Sequence, residues 1–204
     1  MCLVVGALLS VLIASPHPAA LRIAPAAPHQ GQPLFVTAPG IDSRARAVLT
    51  WDSRRYPIYP LGAEWRGVIP VRIEERPGRH MVRLTYRTAS GAQQVLSRAV
   101  LVGRTMFPVQ RLSMAHSIER LYTYPGRKKE LALVRRALLT ETPLPRWSGD
   151  FMLPIHGRYT TWFGERRIRN GRTVGDHRGV DIAAPTGTPI HADNAGRVVL
   201  ARAL

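Results

Sequence analysis

A chain of 204 residues with 45% hydrophobic content is long enough for one or two globular domains, and its apolar fraction and charge density are not those of a disordered protein. Cys2 is the only cysteine, and it sits ahead of an apolar run that reads as a removable leader, so a disulfide framework and a cysteine nucleophile are both excluded from the mature chain. The net charge of +16 calls for an anionic partner; with no compact Arg/aromatic patch and no recognised nucleic-acid motif, nucleic acid is not expected, whereas wall polymers or lipid phosphates of a cell envelope explain the charge through non-specific attraction.

Leu3 to Ala14 is a nearly unbroken apolar run, too short for a membrane span and right for the core of a secretory signal. Small-residue cleavage options lie near Ala14 and Ala20, and Pro16 and Pro18 follow at once, which argues against a buried helix. The basic head of a signal is missing. Residues 1–20 are therefore expected to be either a signal peptide or a non-cleaved N-terminal membrane anchor. Cys2 precedes the run, where a lipid-attachment cysteine would follow it, so a lipoprotein is not expected. Ala24 to Gln32, rich in Pro and Gly, reads as a linker.

Strand signals then come at short intervals. Leu34–Thr37, Ala47–Trp51, Val68–Arg72 and Met81–Arg87 are each bounded by Gly, Pro, Asp or Ser, the spacing of an all-β sandwich. Val82, Leu84 and Tyr86 alternate with Met81, Arg83, Thr85 and Arg87, which predicts one core face and one mostly solvated face. Ala89–Ala92 closes a hairpin onto Gln94–Val102. An Ig-like β domain is thus expected over residues 31–103. Trp51 and Trp65 could form a sugar-stacking pair, but core packing accounts for them more simply.

Around Arg104 the period changes. Leu131, Val134 and Leu138 form the apolar stripe of an amphipathic helix whose outer side carries Arg135 and Arg136, and Thr142-Pro143 ends it. Residues 104–147 read as a helical connector, which either joins two domains or lies across a groove as a lid.

The chemistry concentrates beyond it. His177 and Asp181 are the borderline and hard ligand types that a hydrolytic Zn²⁺ takes, and a catalytic zinc needs three protein ligands with one position left open. A helix would put the two on one face, but Gly179 and the β-branched, apolar Val180-Asp-Ile182 favour a bend leading into a strand. Such a bend brings both side chains toward one ion. Ala184-Pro-Thr-Gly187 fits a type I turn, Pro189–Ala192 resumes extended chain, Asp193–Gly196 turns again, and Arg197–Ala201 reads as strand.

Pro154-Ile-His-Gly157, Thr160-Thr-Trp-Phe-Gly164-Glu-Arg-Arg167, Asn170-Gly171, His177-Arg-Gly-Val-Asp181, Ala183-Ala-Pro-Thr-Gly-Thr-Pro189 and Gly196-Arg-Val198 follow one another in a fixed order. This ordered set, from about Phe151 onward, resembles the zinc-dependent peptidoglycan endopeptidases of the lysostaphin/LytM type, peptidase family M23. The resemblance implies that His177 and Asp181 are zinc ligands. In that family the third ligand and a catalytic histidine come from a later His-x-His pair, with another active-site histidine between, and the 204 residues carry no such pair. Residues 148–204 are accordingly expected to be the N-terminal part of the peptidase domain, truncated at Leu204. His156 and His191 stand at positions the family does not use as ligands and read as loop and strand-surface histidines.

The expected protein is mainly β: an Ig-like sandwich, a short helical connector, and the N-terminal part of an M23-type antiparallel β catalytic domain. The resemblance implies hydrolysis of peptide bonds in bacterial peptidoglycan, in wall remodelling or lysis, by an exported enzyme of the periplasm or cell wall, with this chain alone inactive for want of the third ligand. His177 has to be neutral to bind metal, so occupancy should fall below about pH 6. The competing expectation is an inactive M23-like module that binds the wall or activates another wall hydrolase.

Overall fold

In β2 (Pro33–Pro39) every second side chain, Leu34, Val36 and Ala38, is fully buried, and in β6 (Glu64–Pro70) Trp65 and Ile69 follow the same period. That alternation builds a sheet with one dry face. The computed structural model of the chain describes residues 20–122 and 124–203; the leader expected over residues 1–20 therefore lies, all but Ala20, outside the described residues. Among the described residues no helix is long and apolar enough to cross a membrane.

The chain divides into two units. The first gathers Pro33–Pro70 and Gly78–Val102 with the segment ending at Pro28. Its strands are β1 (Arg22–Ala24), β2, β3 (Ala47–Trp51), β4 (Arg54–Tyr56), β5 (Ile58–Leu61), β6, β7 (Gly78–Arg87) and β8 (Gln93–Val102). They form two four-stranded antiparallel sheets, ordered β1-β2-β6-β5 and β4-β3-β7-β8. Leu34, Val36, Ile58, Trp65 and Ile69 of one sheet and Leu49, Trp51, Val82, Leu84, Val100 and Val102 of the other make the core, each large side chain contributing about 1.5–3 kcal/mol by leaving water. The sheets approach closely at Gly67, where an added Cβ would lie 2.9 Å from Leu49 Cδ2. Pro60 lies in β5, an edge strand, where a missing N–H costs least.

Strand signals and structure agree best here. β3 spans the residues expected, β7 begins three residues earlier, at Gly78, and Val82 and Leu84 are buried while Tyr86 is partly exposed. Trp51 and Trp65 are core residues, so neither offers a face to a sugar. Two local readings are corrected. Ala24 closes strand β1 instead of opening a linker, because Ile23 is buried while its neighbours are exposed. The strand expected at Val68–Arg72 is the end of a longer one and stops at Pro70.

The second unit comprises His29–Gln32, Val71–Pro77 and Gly103–Leu204. Its elements are β9 (Val109–Leu112), α1 (His116–Glu119), α2 (Arg127–Leu138), β10 (Arg158–Thr161), β11 (Arg166–Arg169), β12 (Arg172–Asp176) and β13 (Asp181–Ala183). β10 pairs antiparallel with β13, and β11 is flanked by β12, antiparallel, and β9, parallel. The helical connector therefore contains a strand, and the sheet that strand joins is mixed rather than antiparallel. The apolar stripe of α2 is not buried: Leu131 is 53% and Leu138 80% exposed. Arg197–Ala201 forms no ladder among the described residues, because a strand exists only where a neighbour accepts its hydrogen bonds. The turn after β13 falls one residue later than expected, with Thr188 N–H donating to Pro185 O at 3.1 Å and Gly187 third in the turn at φ +87°, the type II position that favours glycine.

Candidate metal centre

His177 and Asp181 are brought together, by a bend at Gly179 and the start of β13. His177 Nε2 lies 3.2 Å from Asp181 Oδ1. The histidine is largely enclosed, 11% exposed, while the carboxylate is 49% exposed, so one side of the pair opens to solvent.

The backbone holds His177 from both sides. Its N–H donates to Glu165 O at 2.8 Å, and its carbonyl accepts from Gly164 N–H at 2.7 Å. The turn it grips is internally tied, since Trp162 N–H donates to Glu165 Oε1 at 2.8 Å. Gly164 has φ +86°, a conformation that L side chains seldom adopt, and the Phe107 ring occupies the place a Cβ would take. On the other strand Thr160 Oγ1–H donates to the backbone carbonyl of Asp181 at 3.2 Å.

The ring is oriented as well as placed. His177 Nδ1 lies 3.2 Å from the carbonyl oxygen of Trp162, which can only accept, so Nδ1 carries the proton. Nε2 then faces a carboxylate oxygen, and unless a proton or a metal cation lies between them two lone pairs oppose each other. Two ligands about 2.1 Å from one tetrahedral ion sit about 3.4 Å apart, close to the separation present. A histidine whose other ring nitrogen donates to a backbone carbonyl is the usual arrangement at a metal.

The second carboxylate oxygen is engaged by a cation. Arg167, on β11, donates from Nη2 to Asp181 Oδ2 at 2.9 Å and from Nε to Gln110 Oε1 at 3.2 Å. Gln110, on β9, donates in turn to Oγ1 of buried Thr161 at 3.3 Å. Tyr159 and Trp162, whose carbonyl holds the His177 ring, stack at 4.9 Å with their planes nearly parallel, and Trp162 is 56% exposed.

Sequence reasoning found the histidine and the aspartate but not Arg167 or Gln110 as their partners. Gln110 is 71 residues from Asp181 (181 − 110), and only the parallel β9–β11 pairing brings it near. Among the described residues, no third His, Cys, Asp or Glu joins His177 and Asp181, and neither His156 nor His191 enters a group of three candidate ligands. The donor set suits zinc but supplies two ligands of the three that a catalytic site takes.

A different pair converges in the first unit. His80 Nδ1 lies 2.7 Å from Asp52 Oδ2, Met81 N–H donates to Asp52 Oδ1 at 2.9 Å, and the His80 ring stacks on Trp51 at 4.9 Å. These are ligand types a metal accepts, and the ligand atoms of Asp52 and His80 lie within 4.8 Å of one another. Desolvation pushes the Asp52 carboxyl up, but the Met81 N–H, His80 and nearby Arg54 outweigh it and hold the group below the usual carboxylate range. Asp52 has φ +51° and its two oxygens are spent on His80 and Met81 of β7, which clamps the β3–β4 turn to that strand.

No protein-family model matches the chain, and no curated protein matches it.

Proposed function

We propose that the second unit carries part of the centre of a zinc-dependent endopeptidase that hydrolyses peptide bonds of bacterial peptidoglycan, in a protein exported to the cell envelope. The observation that carries the reading is the approach of His177 Nε2 to Asp181 Oδ1 at 3.2 Å, a separation one shared ion would bridge, with Nδ1 tied to Trp162 O. His177 and Asp181 would hold the metal. When bound, Zn²⁺ supplies Lewis acidity toward a scissile carbonyl and lowers the pKa of water toward neutrality.

The chain's own residues do the rest. Trp162 O fixes the tautomer that leaves Nε2 free to coordinate, the Gly164–Glu165 turn fixes the ring's height, and the half-exposed Asp181 offsets positive charge at the open side. The ordered motifs from Pro154 to Val198 support peptidoglycan as substrate, the Leu3–Ala14 run supports export, and the net charge of +16 supports attraction to anionic envelope polymers. An Ig-like assignment for the two-sheet unit belongs to the same proposal.

A second reading has its own observation. Arg167 already occupies one oxygen of Asp181 and no third ligand joins the pair among the described residues, which suits an inactive module that binds the wall or activates another hydrolase.

The test is calorimetric titration with Zn²⁺ of the wild type and His177→Ala, alongside incubation with purified sacculi. Zinc binding lost in His177→Ala supports the peptidase reading. Co-sedimentation with sacculi and no zinc binding supports the binding module. Zinc binding indifferent to His177→Ala refutes the metal reading.

A further inference from the structure

We infer that Arg167 is a built-in counter-ion that competes with metal for Asp181, held in place by Gln110, so that strand β9 sets the metal affinity of the site. The inference rests on the reading of His177 and Asp181 as ligands, and deepens it.

The geometry is a chain of contacts through one unit. Thr161 Oγ1 accepts from Gln110 Nε2 at 3.3 Å, Gln110 Oε1 accepts from Arg167 Nε at 3.2 Å, and Arg167 Nη2 donates to Asp181 Oδ2 at 2.9 Å. Thr161 is 5% exposed, so its end of the chain is fixed, and the Arg167 side chain is 30% exposed, enclosed enough for its charge to be incompletely screened. The guanidinium brings a positive charge beside the place of an incoming dication. It opposes metal in two ways: by occupying an oxygen of the ligand carboxylate, and by repelling positive charge at the Oδ1 side facing His177. Without a cation beside it, Asp181 would carry an unpaired charge against the His177 ring. Arg167 thus satisfies the metal-free state and weakens the metal-bound one.

Gln110 gives the device its setting. A free arginine could swing to solvent at little cost, but here its Nε is spent on Gln110, and Gln110 is carried by β9 in register with β11, Gln110 opposite Arg167. Any movement of the connector that slips β9 would release the arginine from the carboxylate.

The experiment is Zn²⁺ titration of the whole chain by calorimetry for wild type, Arg167→Gln, Arg167→Lys, Gln110→Ala and His177→Ala, with circular dichroism as the folding control. Arg167→Gln should tighten binding on the order of 10-fold, the scale of removing a positive charge a few ångströms from the ion in a partly screened site. Gln110→Ala should move affinity the same way by a smaller factor, and Arg167→Lys, which keeps the charge, should stay near wild type. Zinc that binds through His177 with unchanged or weaker affinity in Arg167→Gln overturns the inference and leaves the metal reading standing. Zinc binding absent from all variants, or untouched by His177→Ala, overturns both. Should Arg167→Gln fail to fold, Gln110→Ala decides: no tightening there overturns the competition.

Discussion

Asp181→Asn separates what the fold needs from what a metal needs at one position. In the wild type the carboxylate faces His177 Nε2 through Oδ1 at 3.2 Å and Arg167 through Oδ2 at 2.9 Å. The amide can meet both neighbours: its oxygen accepts from Arg167, and its NH₂ donates to Nε2, the lone-pair nitrogen left by the Nδ1–H bond to Trp162. The folding cost should be small, since exposed ion pairs are worth about 0–1 kcal/mol and this one is half-exposed on the acid side. Metal loses far more. With the NH₂ turned to His177, a donor points into the place of the ion, and the neutral oxygen is a poor replacement for a carboxylate. Loss of a direct ligand should cost at least the 10- to 100-fold typical of outer partners, or about 1.4–2.7 kcal/mol. Zinc calorimetry gives the affinity and thermal denaturation gives the stability. With two protein ligands, wild-type binding should be micromolar or weaker, and Asp181→Asn should show none while melting within a few degrees of wild type. A folded Asp181→Asn that keeps wild-type zinc affinity refutes Asp181 as a ligand.

The remaining predictions probe the scaffold. Leu84→Ala, in the core of the first unit, should cost about 2–5 kcal/mol in urea unfolding, whereas Leu138→Ala, 80% exposed on α2, should stay within about 0.5 kcal/mol; equal effects would contradict the burial described. Gly164→Ala meets both a φ of +86° and the Phe107 ring, so it should destabilise the turn gripping His177 and weaken zinc binding without touching a ligand; unchanged affinity would count against that turn as the support of the ring. Asp52 is held below its unfolded value, so its contribution to stability is fully present above the unfolded pKa of about 4 and is lost as pH falls through the depressed folded value. Asp52→Asn should flatten the acid limb of the stability–pH curve below about pH 4, and an unchanged limb would deny Asp52 that role.

Legibility varied with how local the cause was. β3 and the buried pair Val82 and Leu84 were readable because alternation along one strand is a local record of which face is dry. β1, three residues long, carries too little pattern to be read, and β4 and β5 hide behind Arg54-Arg55 and Pro60, residues that edge strands tolerate. Arg197–Ala201 shows the opposite failure: Val198-Val-Leu200 has the composition of a strand, but pairing is a property of two segments and no partner meets it among the described residues. The stripe of α2 is similar, a correct helix whose apolar face stays exposed.

At the candidate site the histidine and the aspartate, their spacing and the glycine bend that lets them meet are written locally in the chain, because residues four apart around one turn are constrained by the backbone that joins them. How that pair is set depends on contacts that fold in from farther away. The carbonyl that orients His177 comes from 15 residues away and Arg167 from 14, while Gln110 arrives from the connector through a parallel pairing with β11 that no local pattern announces. Charge, tautomer and partner at such a site depend on what lies within about 3 Å in space, and distance along the chain sets no limit on what can be brought that close.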